Sequence, residues 1–118
     1  MLIILLSFTC CFSPQRNCKD FKTGDFYSEI IIDDKLYTSR FSRTEDTQTE
    51  IFDGKTSFTD VRWINDCEII YKTKNPRNRA EHKDIHLKIL TTTDSSYTYE
   101  YSYVGEIKKQ KGIAIKVK

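Results

Sequence analysis

Glycine and proline are scarce, with four and two among 118 residues. A chain so poor in both has no low-complexity linker, and with Tyr as frequent as Phe it reads as a strand-rich globular protein. An excess of charge of one sign is also missing: 19 basic residues face 17 acidic ones, interspersed along the chain. That balance argues against a dedicated nucleic-acid binder, whose basic residues would outnumber the acids and cluster on one face. There is no Gly-x-Ser-x-Gly elbow, no phosphate-cradling glycine loop and no Cys-x-x-Cys pair. Nucleophilic, nucleotide and redox chemistry therefore lack support, and the chain is not expected to be an enzyme or to carry a cofactor.

Long apolar runs are absent too, except at the start. Met1 to Phe8 is apolar apart from Ser7 and is followed by Thr9, Cys10 and Cys11. A bilayer core needs about 20 such residues, so this run is too short to span one. It suits the apolar segment of an export signal, about 7 to 15 residues long, and a cysteine at its end suggests a lipoprotein acylated on Cys11 or Cys10. Residues 1–11 are thus expected to be a leader and 18–118 a single β domain. A buried N-terminal strand is the alternative, but the run lacks strand alternation.

What is present is period-two alternation. The stretch Val61 to Tyr71 holds the one Trp and a central Cys, with Val61 and Trp63 alternating before Asn65-Asp66 and Cys67, Ile69 and Tyr71 after it. Asn and Asp tolerate left-handed backbone, so the pair predicts a tight turn between two antiparallel strands. Upstream, Phe26 to Ile32 and Leu36 to Arg43 flank the Asp33-Asp34-Lys35 corner, and Thr47 to Phe52 leads into Asp53-Gly54, a strong hairpin signal. Phe58 is out of phase with Val61 and Trp63, which predicts a bulge near Thr59-Asp60. Downstream come Ile85, Leu87 and Ile89, then Tyr97, Tyr99, Tyr101 and Tyr103 on one parity, then Ile113, Ile115 and Val117. The segment from Asn75 to Lys83 breaks the rhythm. Asn75 can cap and Pro76 suits a first helical position, so one short helical turn near 76–83 is expected within a polar crossing loop.

The fold class that follows is all-β. About eight antiparallel strands in sequence order either curl into a lipocalin-like closed or partly closed barrel, or stay an open twisted sheet with an apolar face to cover. If Cys10 or Cys11 is lipidated or lost with the leader, Cys18 and Cys67 remain as natural partners. A bridge between them would close a loop of about 49 residues and add roughly 4 kcal/mol in the chain-entropy model. The other possibility is two free thiols, one of them buried.

Candidate sites are few. The Tyr97, Tyr99, Tyr101 and Tyr103 stripe reads as core or rim packing with hydroxyls reaching outward; as a binding feature it would line a barrel mouth together with Trp63. His82 and His86 would share a metal only on a continuous helix, and the expected helix ends between them, so ordinary surface histidines are the reading. Asp33-Asp34 reads as a solvated turn, so no metal site is assigned. Arg77, Arg79 and Lys83 are either a solvated loop or a small basic patch for an anionic partner.

The pattern Cys11…Arg16-Asn17-Cys18-x-Asp20-Phe21-x-Thr23-Gly24-x-Phe26, then Arg62-Trp63-Ile64-Asn65-Asp66-Cys67-Glu68, Asn75-Pro76-x-Asn78, Ile89-Leu90-x-Thr92 and Tyr97-Thr98-Tyr99-Glu100-Tyr101 resembles small uncharacterised Bacteroidetes-type envelope lipoproteins. That group has no established activity to carry over. Some of its members bear an automatic label of DNA topoisomerase IV, but a type II topoisomerase needs an ATP site, a catalytic tyrosine region and many times this length. The resemblance implies a non-enzymatic, lipid-anchored module in the cell envelope, facing the periplasm or the exterior. Its expected partners are the membrane, through the N-terminal anchor, and either another protein or a small apolar ligand, with no nucleic acid. The alternative is a small envelope enzyme or enzyme inhibitor acting on wall or glycan.

Overall fold

A computed structural model of the protein describes residues 16–118. The expected leader 1–11, with Cys10 and Cys11, lies outside the described residues. Eight strands follow one another hairpin by hairpin: β1 (Gly24–Ile32), β2 (Lys35–Arg43), β3 (Thr47–Phe52), β4 (Lys55–Asn65), β5 (Glu68–Thr73), β6 (Ile85–Thr92), β7 (Ser96–Tyr103) and β8 (Gln110–Lys116). All neighbours are antiparallel, and β8 pairs back onto β1, Phe26 facing Lys116 and Ile30 facing Gly112, so the sheet closes into a barrel. Closure gives every strand a neighbour on both sides, although β2 and β3 pair only from Arg40–Ile51 to Arg43–Gln48. Of the two architectures open to the sequence, the closed barrel is the one formed.

Turn chemistry sets the hairpins. Asp33 and Asp34 both have positive φ, 51° and 63°, as do Asp53 and Gly54 at 51° and 72°. Those angles give a two-residue connection the twist that antiparallel strands need, and Asp and Gly tolerate them best. The turn after β4 sits one residue later than its composition predicts. Asn65 pairs with Glu68 at the base of the hairpin, its Oδ1 accepts from the Cys67 amide at 2.9 Å, and Asp66 and Cys67 form the tip. The bulge is displaced as well: β3 and β4 pair without interruption from Thr47–Asp60 to Phe52–Lys55, and the register shifts between Trp63 and Asn65 instead of near Thr59-Asp60. Phe58 needs no bulge because it points outward and stays exposed.

The helical turn expected near 76–83 is not formed. Asn75 takes a left-handed φ of 51°, which starts no helix. Side chains accept from amides of this segment, Glu81 Oε2 from Arg77 N at 2.9 Å and Asn78 Oδ1 from Glu81 N at 2.9 Å. A single hydrogen-bonded turn, Lys83 N to Ala80 O at 3.2 Å, is what remains. A 3-10 helix does form elsewhere, over Cys18–Phe21, with Cys18 and Phe21 buried.

This helix plugs one end of the barrel. The chain reversals 44–46, 66–67 and 93–95 lie at that end because β2, β4 and β6 all run toward it. Cys18 is bonded to Cys67 of the β4–β5 turn, with Cα atoms 5.2 Å apart. Arg16 Nη1 donates to Ile89 O at 3.1 Å, Asn17 N to Thr92 Oγ1 at 2.8 Å and Lys116 Nζ to Asp20 O at 2.7 Å. The N-terminal segment is therefore stitched to β6, β8 and the β4–β5 turn at once.

Most inward positions are apolar or aromatic, with Ser28, Arg43, Gln48 and Glu50 among the exceptions. Phe26, Phe41, Val61, Ile69, Tyr71, Leu87, Ile89, Tyr97, Tyr99 and Ala114 form the core with the plug. Outward positions mix charged residues, such as Glu29, Arg40 and Lys88, with exposed apolar ones, such as Ile31, Leu36 and Phe58.

Candidate functional site

Arg43 organises the plugged end. It is the last residue of β2, shares inward parity with Phe41, and is 2% exposed. A buried cation ordinarily needs an anion, yet its partners are all neutral. Nε donates to Lys22 O at 3.1 Å and Nη2 to Phe21 O, which ties the plug to β2. Nη1 reaches Gln48 Oε1 at 3.3 Å and the Tyr71 hydroxyl at 3.0 Å, and both terminal nitrogens lie 3.3 Å from the Tyr97 hydroxyl. The guanidinium also stands 4.9 Å from the Phe26 ring centroid and 5.4 Å from those of Phe41 and Trp63. Burial opposes its charge, but the Tyr71 and Tyr97 hydroxyls outweigh that and raise its pKa above the ordinary arginine value. The donors of the fork are thereby occupied.

Above this floor the barrel encloses a cavity of about 410 Å³. Filled interiors are the norm for small eight-stranded barrels, but the size also suits one small ligand, as it falls in the range of ordinary ligand pockets. Its wall is mostly apolar: Ile30, Phe41, Phe52, Ile85 and Leu87 alternate with tyrosine rings. Polar groups enter from Ser28, Ser39, Gln48 and Glu50.

The tyrosine stripe divides along β7. Tyr97 and Tyr99 are buried, Tyr101 is half-buried, and all three line the cavity. Their rings follow one another with centroids 5.8 and 6.2 Å apart. Tyr99 is fixed by a 2.5 Å hydrogen bond with Ser28 Oγ. Burial holds the phenols of Tyr71, Tyr97, Tyr99 and Tyr101 above their ordinary pKa, so they enter any ligand contact as neutral hydroxyls. Tyr103 does not join them. It ends β7 at the open rim, exposed, with Lys83 Nζ 5.2 Å from its ring centroid.

Trp63, expected at the mouth, lies at the opposite end. β4 runs from mouth to plug, so a residue two positions from its end faces the floor, where Trp63 sits between Arg43 and the Lys22 ammonium, 5.2 Å from the ring centroid. Its indole Nε1 is buried without a hydrogen-bond partner.

Glu50 is the group that sequence reasoning passed over. It lies directly across from Phe41 in the β2–β3 pairing and faces inward with Gln48 and Phe52. Its parity with those two residues is the signal that could have found it. Burial raises its carboxyl above the usual carboxylate range, with the Ser39 hydroxyl acting in the opposite direction.

The histidines have separate fates. His86 places Nε2 3.0 Å from Glu68 Oε1 on the outer face. The Glu68 carboxyl is held below its ordinary pKa by the Asn65 amide first and by His86 second, against the effect of burial. Among the described residues no three potential ligands gather as a metal group would require. Of Arg77, Arg79 and Lys83, Lys83 is flanked by Glu81 and Asp84 and pairs with Glu106 at 3.1 Å.

The described residues form a plugged, eight-stranded up-and-down barrel around a cavity. No protein-family model, curated protein or solved structure matches the chain.

Proposed function

We propose that the protein is a non-enzymatic binding module that holds a small, largely apolar ligand inside the barrel. The observation that carries this is the cavity of about 410 Å³ between the open rim and the Arg43 floor. A barrel serving only as scaffold gains by filling such a space, since a void forfeits dispersion contacts. The lining supports binding over hydrolysis. Glycoside hydrolysis uses two carboxyl groups about 5 to 9 Å apart, and Glu50 is the single carboxylate in the wall.

The Cys18–Cys67 bond fits an oxidising compartment, so the proposal extends to an exported module in the cell envelope, lipid-anchored through Cys11 or Cys10. A protein partner is a second reading, favoured by an outer patch on β1 to β4. Ile31 faces Leu36 across one hairpin, Ile51 and Phe58 lie on the next, and each is more than half exposed.

Mass spectrometry of the protein from its native membrane fraction tests both parts. A non-denaturing spectrum is expected to carry a bound small molecule that is lost in Thr59→Trp, a substitution into the cavity wall. A denaturing spectrum is expected to carry acyl mass on Cys10 or Cys11. A ligand-free species would contradict the binding reading, and an unacylated one the anchor.

A further inference from the structure

The cavity is charged at one point. Among the residues that line it, Glu50 is the one carboxylate, and no Lys, Arg or His stands with it. A carboxylate moved out of water without a partner is costly, so a wall built this way lacks a counter-charge. Cations at the two ends of the cavity have other contacts in the structure. Arg43, under the floor, directs its N–H groups to Phe21 O, Lys22 O, Gln48, Tyr71 and Tyr97. Lys35, at the rim, rests its ammonium 5.3 Å from the Tyr37 ring centroid. Other rim charges lie outside the cavity lining, among them Asp33, Asp34, Asp53 and Lys55 on two hairpins and Lys83, which pairs with Glu106 at 3.1 Å.

We propose that the ligand is an amphipathic amine whose protonated nitrogen meets Glu50 while its apolar body lies against Ile30, Ile85 and Leu87. This rests on the cavity-binding reading above and adds the charge of the occupant. An ammonium group supplies the positive partner the wall lacks, and hydrogen bonds to an ionised acceptor are the strong ones. The faces of Phe41 and the lining tyrosines favour a cation further. An anionic amphiphile of equal length would bring a second negative charge to the same wall. A neutral alcohol would gain the apolar contacts alone.

Calorimetric titration of the disulfide-bonded protein at neutral pH with decylammonium, decan-1-ol and decanoate separates these cases. Decylammonium is expected to bind tighter than decan-1-ol by about ten-fold or more, with decanoate weakest. In Glu50→Gln the decylammonium advantage over decan-1-ol is expected to vanish. If decan-1-ol or decanoate matches decylammonium, or Glu50→Gln leaves the ranking intact, the amine assignment is wrong and cavity binding stands. If none of the three binds, both fail. Should Glu50→Gln not fold, the ranking of the three probes on the native protein decides alone.

Discussion

Tyr99 lies directly across from Gly112, and a methyl group on that glycine would stand 2.6 Å from the Tyr99 hydroxyl and 2.9 Å from Glu29 O. The next inward pair repeats the scheme, with Tyr97 across from Ala114. Large rings on β7 are thus accommodated by small residues on β8. Gly112→Ala is expected to destabilise the barrel by about 1 to 3 kcal/mol, as overpacking does. Adding Tyr99→Leu should recover part of that loss, because the backbone contact with Glu29 remains. Urea unfolding of the single and double variants measures it; an unshifted midpoint in Gly112→Ala would contradict the packing.

Arg43 carries a second expectation. Arg43→Met leaves Phe21 O, Lys22 O and the Gln48, Tyr71 and Tyr97 oxygens without their donor, at a cost on the order of 3 kcal/mol. Arg43→Lys should rescue little, since an ammonium lacks the planar fork that spans these acceptors. Unfolding midpoints of both variants test this, and native-like stability in either would refute the role given to the guanidinium.

Reduction of the Cys18–Cys67 bond opens a loop spanning 49 residues. The expected loss is about 4 kcal/mol. The plug should loosen, because it loses its covalent tie and its ion pair from Lys22 to Asp66 at 3.1 Å is partly exposed and weak, which leaves the Arg43 bonds to Phe21 O and Lys22 O to hold it. Trp63 fluorescence reports on this directly, as the Lys22 ammonium rests over its ring. Cys18→Ala with Cys67→Ala is expected to shift the Trp63 emission and lower the unfolding midpoint together; a lower midpoint with unchanged emission would place the weakening elsewhere.

Glu50 gives a pH signature. Burial puts its folded pKa above its unfolded one, so between the two values the folded state binds more protons. Stability contributed at this position therefore falls as pH rises from the ordinary carboxylate value through the raised one. Glu50→Gln removes the dependence. The variant is expected to be the more stable of the two at neutral pH, with the gap closing below the ordinary carboxylate value. A constant gap across the acid range, read by urea unfolding, would mean that Glu50 is not desolvated.

Local chemistry makes the strands, the Asp53-Gly54 hairpin and the pairing of Cys18 with Cys67 legible in the amino-acid order alone. Alternation fixes strands, glycine fixes a turn, and two thiols leave few partners. Closure is not legible there, because it depends on β8 meeting β1 across the whole chain. Nor is the sense of β8: Ile113, Ile115 and Val117 alternate as a core face would, yet Gly112 and Ala114 turn inward because the β7 tyrosines fill that volume. Trp63 is misplaced by the pattern for a related reason, since parity says that a residue faces inward but not which end of the barrel it faces. Arg43 and Glu50 escape it because a charged residue at an inward position reads as an interruption until its neighbours are known.

Equilibrium titration with decan-1-ol in native protein and Thr59→Trp shows whether the cavity takes an apolar guest. One saturable site with a negative heat-capacity change, abolished by the tryptophan, is the predicted result. Non-saturable uptake, or binding that survives Thr59→Trp unchanged, would place the apolar ligand on the outer surface and contradict the account.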